Sequence, residues 1–231
     1  MVEILPTHTP PLGPSFDRPP LVSVETVTSR MRERTWPVHE RLHLHPVLRP
    51  LTMRRPQMAG YLGAVRALYG FVIPMEPRLG DEAAGRAARA PLLAADLRCL
   101  TSEGDGSSSE PPLAEELPEL ASPAARLGCR WVLDGSAQGG RAMLGHLQRS
   151  LGVGPDRGAA YFASAAVDLA AERLSLRDHL ERHVTTEETC REAVEAAEAT
   201  FAALERWLDQ LHRPSRTPDH DQRPHASGPG A

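Results

Sequence analysis

Apolar positions along this chain recur at intervals of three and four residues, and nowhere with the strict alternation of a half-buried strand. The longest such pattern is Thr185–Leu211, where Cys190, Val194, Ala197, Phe201, Leu204, Leu208 and Leu211 share one stripe. Thr185 or Thr186 supplies its N-cap, with Glu188 placed to close a capping box. In the region Gln57–Leu79, Tyr61, Val65, Leu68 and Val72 trace a second helix, which Pro74 and Pro77 end or bend near Ile73. A shorter helix, Pro91–Leu100, carries Leu92, Leu93, Leu97 and Leu100 on its apolar side. Upstream, a helical pattern begins near Val24 and meets Pro37. Proline in a helix interior removes a backbone bond, so either the axis kinks there or Thr35 caps a helix with Pro37 in its first turn; in both cases Pro37–Leu44 is expected to be helical, ending before Pro46. Towards the C-terminal half the pattern predicts helices in Ser122–Leu151, Ala159–Leu169 and Leu176–Val184, with Gly152–Pro155 as a break. These elements define an all-α domain of seven or eight helices over residues 23–212.

The segments outside that pattern bury nothing. Residues 1–22 hold six prolines and no periodicity, residues 101–112 are acidic and rich in Gly, Ser and Pro, and residues 213–231 are polar and Pro-rich. They read as a disordered N-terminal tail, a flexible loop and a disordered C-terminal tail.

One stretch strains its own pattern. Trp131–Leu147, WVLDGSAQGGRAMLGHL, has helical periodicity, yet Gly135, Gly139 and Gly140 fall in its middle. Each interior glycine costs roughly 1 kcal/mol relative to alanine. Gly135 and Gly139 are four apart and share a face without side chains. Such a face allows either close packing of a second helix or close approach of something flat to the backbone.

Composition narrows the setting. Hydrophobic residues are 41% and charged residues 24%, ordinary for a globular domain, and no run of 18 apolar residues suggests a membrane span. Three widely spaced cysteines, Cys99, Cys129 and Cys190, suit a reducing cytoplasm better than a disulfide framework. All 26 basic residues are arginine, so any anion site here uses a planar, permanently charged fork. A net charge of −4 argues against nucleic-acid binding.

Several chemistries fail on spacing. Gly135-Ser136 lacks the Gly-x-Ser-x-Gly elbow and a preceding strand, and Gly139-Gly140-Arg141 is followed by no Gly-Lys-Ser/Thr. Glu40 and His43 form one Glu-x-x-His, but Glu181-Arg182-His183 is not a second copy, which leaves a di-metal bundle poorly supported. His39 and His43 are i, i+4 on one helix face. His39 reads either as a surface or core histidine or as an axial ligand to haem iron, and His43 as its neighbour or as half of a two-His face.

Two regions carry a family resemblance. Met31–Leu48, MRERTWPVHERLHLHPVL, and Trp131–Met143, WVLDGSAQGGRAM, resemble the first helix and the distal helix of the biliverdin-producing haem (heme) oxygenases, most of all the bacterial branch associated with phytochromes. The likeness extends, more thinly, from about Glu25 to Leu211. It implies a haem held between a proximal helix and a glycine-kinked distal helix. His39 would be the axial iron ligand, Gly135 and Gly139 the backbone over the haem, and Trp131 a haem contact from the same motif. Ser136 stands where animal-type relatives place an aspartate that organises distal water. Asp134 is about 100° round the helix and is not expected to replace it. Arg32, Arg130 and Arg177 are the expected partners of the haem propionates. The implied reaction is O₂-dependent opening of haem to biliverdin, CO and ferrous iron in the cytoplasm, with electrons from a ferredoxin, a reductase or a small reductant. A bacteriophytochrome is the possible recipient of biliverdin. Ser136 and Trp36 motivate an alternative, a non-catalytic haem-binding or regulatory protein of the same fold, and a non-haem di-metal oxidase is the third reading.

Overall fold

The computed structural model describes residues 22–102, 110–164 and 168–213. Of the expected tails and loop, residues 1–21, 103–109 and 214–231 lie outside the described residues. The elements are α1 (Val24–Leu44), α2 (Met58–Met75), α3 (Ala90–Ser102), α4 (Pro123–Leu151), α5 (Ala160–Ala163), α6 (Leu169–His183) and α7 (Glu187–His212), with 3₁₀ turns at Arg49–Leu51 and Glu76–Ala83. Among the described residues there is no strand, only two isolated bridges at Gly154.

Helix α1 departs from the expected break. It runs unbroken through Pro37, capped by Ser23, whose Oγ accepts from Thr26 N at 3.2 Å. Thr35 is no cap: it is buried, and its hydroxyl donates back to Met31 O at 2.7 Å. The cause is long-range. Val27, Met31 and Leu42 bury against the core, and Arg30–Glu187 (2.5 Å), Arg34–Glu198 (3.0 Å) and Arg41–Glu205 (2.8 Å) lace α1 along α7. Exposed pairs of this kind add little stability each, but together they fix register.

Helix α7 is capped by Thr186, and Thr189, not Glu188, closes the capping box. Its stripe is buried as expected except at Leu204 and Leu211, and the latter is 37% exposed. Helix α7 packs on α4 so closely that a Cβ on Gly128 would lie 2.0 Å from Ala193 O. The obstacle is backbone, so Gly128→Ala must push the two helices apart. We expect a drop in the unfolding midpoint of roughly 5–10 °C, read by far-UV circular dichroism, because overpacking of this kind costs about 1–3 kcal/mol.

Two elements differ from expectation near the chain's middle. Helix α5 is four residues long and ends at Ser164, which adopts a left-handed φ of 47°. Helix α6 begins at Leu169, seven residues before the expected start, because Asp168 Oδ1 accepts from Ala170 N and Ala171 N, both at 3.0 Å. Helix α2 continues into the 3₁₀ turn, and by length and composition Met58–Ala83 passes as a membrane span; 56% of its most apolar window is buried inside the fold. Trp207 Nε1 of α7 donates to Ala67 O at 2.9 Å across it, as in a core helix.

Behind α4 lies a charged layer that the hydrophobic pattern does not foreshadow. Asp134 is buried and accepts from Arg86 Nε at 2.6 Å and from Arg130 Nε at 3.3 Å. Glu76 accepts from Arg86 Nη1 at 2.5 Å and from Arg89 N at 2.7 Å, while the Arg89 guanidinium grips Glu172 of α6. Arg126 pairs with Glu82 at 2.6 Å. These pairs bolt the 76–90 segment and α6 to α4. Breaking one would leave a buried charge uncompensated. Burial alone would push the Glu172 carboxyl up, but Arg89 and the Ala87 N–H hold it below the usual value; Glu82 is held low by Arg126 against the same burial. Because both are depressed in the folded state, their contribution is complete above the unfolded value, near pH 4.3, and is lost as pH falls through the folded values. The protein should therefore lose stability progressively below about pH 4.3 in urea melts.

Candidate functional site

Helices α1 and α4 form facing walls of a cavity of about 300 Å³, closed by residues of α2, α5 and α7. From α1 come Arg32, Thr35, Trp36, His39, Leu42 and His43; from α4, Trp131, Val132, Gly135, Ser136, Gly139 and Met143. Leu68, Phe71 and Val72 line it from α2, Tyr161 and Phe162 from α5, and Phe201 and Leu204 from α7. A wider, open depression of about 660 Å³ beside Gln138, Arg141 and Arg173 contains none of the residues singled out by the sequence.

The helical period puts Trp36, His39 and His43 on the same face of α1. The His39 ring stacks on Trp36 (centroids 5.5 Å, 26°) and meets the edges of His43 (4.5 Å, 79°) and Phe201 (6.1 Å, 87°). Its Nδ1 is buried without a hydrogen-bond partner, and Glu40 Oε1 stands 4.0 Å away, beyond bonding distance. Burial, and then the neighbouring His43, lower the His39 pKa against the opposing pull of Glu40. A neutral imidazole that lines an apolar cavity and is committed to no hydrogen bond is competent to ligate a metal. Among the described residues no three His, Cys, Asp or Glu side chains stand together as a metal cluster, and Glu40 is exposed.

On α4 the two readings of the glycines separate by position. A Cβ on Gly135 or Gly139 would meet nothing within 4 Å, so their bare face opens on the cavity. A Cβ on Gly140 would lie 3.2 Å from the Phe162 ring, so that glycine packs a neighbouring element. Asp134, turned to the opposite side, belongs to the buried ion pairs and not to the cavity. Helix α4 is continuous from Pro123 to Leu151 across all three glycines.

The helical scaffold that carries this cavity matches solved structures. The structure of a heme oxygenase from Leptospira interrogans matches with a TM-score of 0.61 and 17% identity, covering 80% of this chain and 99% of that one. Heme oxygenase-1 from the cyanobacterium Synechocystis sp. PCC6803, solved in complex with heme, matches with a TM-score of 0.59 and 18% identity, covering 80% of this chain and 92% of that one. This chain has the haem oxygenase fold. No protein-family model and no curated protein matches the sequence.

On that fold the three arginines singled out by the sequence part company. Arg32 is exposed at the cavity and forms no ion pair among the described residues. Arg130 is wholly buried behind α4, donating to Glu82 O at 2.7 Å and Ala84 O at 3.1 Å, so it does not reach the cavity. Arg177 is exposed on α6 and pairs with Glu25 and Glu181, also away from the cavity. Both expectations are corrected. Arg130 fails because it is one residue before Trp131, and about 100° of helical rotation separates them. Tyr161, which the helical pattern does not mark out, has its hydroxyl 3.0 Å from Ser136 Oγ. The one available signal was Asp96, an acid inside the apolar run of α3, which is buried and anchors the Tyr161 backbone.

Proposed function

We propose that this chain binds haem at His39 and is a haem oxygenase, opening haem to biliverdin with O₂ and electrons from an external donor. The observation that carries this is the pairing, across one apolar cavity, of a neutral histidine committed to no hydrogen bond and a helix face where Gly135 and Gly139 leave room for a flat group. The residues present fit haem. Haem supplies the iron at which O₂ is reduced and is also the macrocycle that is cleaved.

The remaining contributions belong to the protein. His39 holds the iron through an imidazole kept neutral by burial. Trp36 and Phe201 limit the tilt of that ring. Arg32, exposed at the cavity, would pair with a propionate through its fork. Val132, Phe71 and Phe162 exclude bulk water, and the side-chain-free strip of α4 restricts the distal space to a small ligand. Trp131, half-buried on the same wall, would lie against the macrocycle.

Titration with hemin tests the reading at the level of binding. One hemin per chain should saturate a shifted Soret band. Uptake of two non-haem irons with no hemin affinity would favour the di-metal alternative instead.

A further inference from the structure

On the α4 and α5 walls of the cavity the side-chain hydroxyls are those of Ser136 and Tyr161, with their oxygens 3.0 Å apart. Tyr161 is held rigidly. The Asp96 carboxylate accepts from Ala160 N at 2.6 Å and from Tyr161 N at 2.9 Å. Just upstream, Tyr61 donates its hydroxyl to Gly158 O at 2.6 Å. The Tyr161 ring lies edge-on to Phe162, with centroids 5.3 Å apart at 88°, and is 2% exposed.

Hydrogen-bond accounting gives this pair an unfilled valence. Two hydroxyls carry two protons, and the contact between them uses one. Neither oxygen has another partner among the described residues. Burial raises the Tyr161 pKa, outweighing its bond to Ser136 and the nearby Arg89 and Arg86, so the phenol keeps its proton at neutral pH. Tyr161 is deep and Ser136 is at the cavity surface, so the consistent order is Tyr161 Oη–H donating to Ser136 Oγ, which leaves the serine proton for the cavity. A donor that itself accepts a hydrogen bond is polarised and donates more strongly.

We propose that Ser136 and Tyr161 form the hydrogen-bond donor of the distal pocket, with Ser136 Oγ–H donating to a small polar ligand over the haem and Tyr161 acting as the positioning residue that orients it. This rests on the haem reading above. It assigns this role to two neutral hydroxyls, contributed by α4 and α5.

Carbon monoxide is the probe. A donor at its oxygen end weakens the C–O bond, so losing the donor raises the C–O stretching frequency. The chain is reconstituted with hemin, reduced with dithionite under CO and read by infrared spectroscopy. Ser136→Ala should raise the C–O stretch, and Tyr161→Phe should raise it by a smaller amount. The double variant should match Ser136→Ala alone, since the tyrosine acts through the serine. Both single variants should still bind one hemin per chain, and biliverdin formation should slow several-fold in each. If variants that bind hemin show the wild-type stretch, the pair is a structural tether and the assignment is wrong. If the wild-type chain binds no hemin, the haem reading falls and this assignment with it.

Discussion

Replacing His39 by alanine is expected to lower biliverdin formation by more than about 100-fold. Losing even an outer-shell partner of a metal ligand commonly costs 10–100-fold in affinity or activity, and His39 is the proposed ligand itself. The fold should survive. The His39 side chain is 43% exposed and makes no hydrogen bond, so its removal breaks only ring contacts with Trp36, His43 and Phe201. Its Soret band should therefore change while the far-UV dichroism does not. Imidazole added to the variant should restore part of the wild-type spectrum by occupying the vacated space. His43 lines the same cavity one turn later, which makes His43→Ala the necessary companion. It should retain hemin and turnover. The opposite outcome, with His43→Ala inactive and His39→Ala active, would move the ligand by one turn.

The second large effect is expected at Gly139, where stability and activity should separate. An added Cβ meets nothing within 4 Å, and removing an interior glycine favours a helix by up to roughly 1 kcal/mol. Gly139→Leu should thus leave the unfolding midpoint of the haem-free chain unchanged or slightly raised. Its side chain would project into the cavity proposed for the haem and its small ligand, and turnover should fall at least tenfold, an effect of about 1.4 kcal/mol on the barrier. Gly128→Ala should show the reverse pattern, because there the Cβ meets the backbone of α7 and not a cavity. A Gly139→Leu chain with wild-type turnover would mean that the open glycine face adjoins no bound group.

Much of the fold is legible in the sequence, because its helices carry their apolar stripes locally. Thr186 and Ser122 announce the starts of α7 and α4 through side chains within three residues of the caps. The cavity is legible for a similar reason: helical spacing alone groups Trp36, His39 and His43 on one face and Gly135 and Gly139 on another, and the family resemblance joins the two. What stays hidden depends on residues far apart in the chain. Pro37 does not break α1, because Val27 and Met31 before it and Leu42 after it bury against the core, and arginines of α1 reach carboxylates 157 and 164 residues away on α7. Tyr161 joins Ser136 across 25 residues through an anchor on a third helix. Arg130 looks like a rim cation from its place beside Trp131, and only the buried carboxylate and carbonyls behind α4 explain why it is not one.

That geometry leads to a chemical claim, and one experiment tests it most directly. The hemin complex is incubated in air with ascorbate, with catalase present to remove free peroxide. The Soret band should decay while absorbance at roughly 650–700 nm grows, as expected for an open tetrapyrrole, and the extracted product should be biliverdin. Haem that stays bound and intact under these conditions, or bleaches without biliverdin, would contradict the account and leave a haem-binding protein on a haem oxygenase fold.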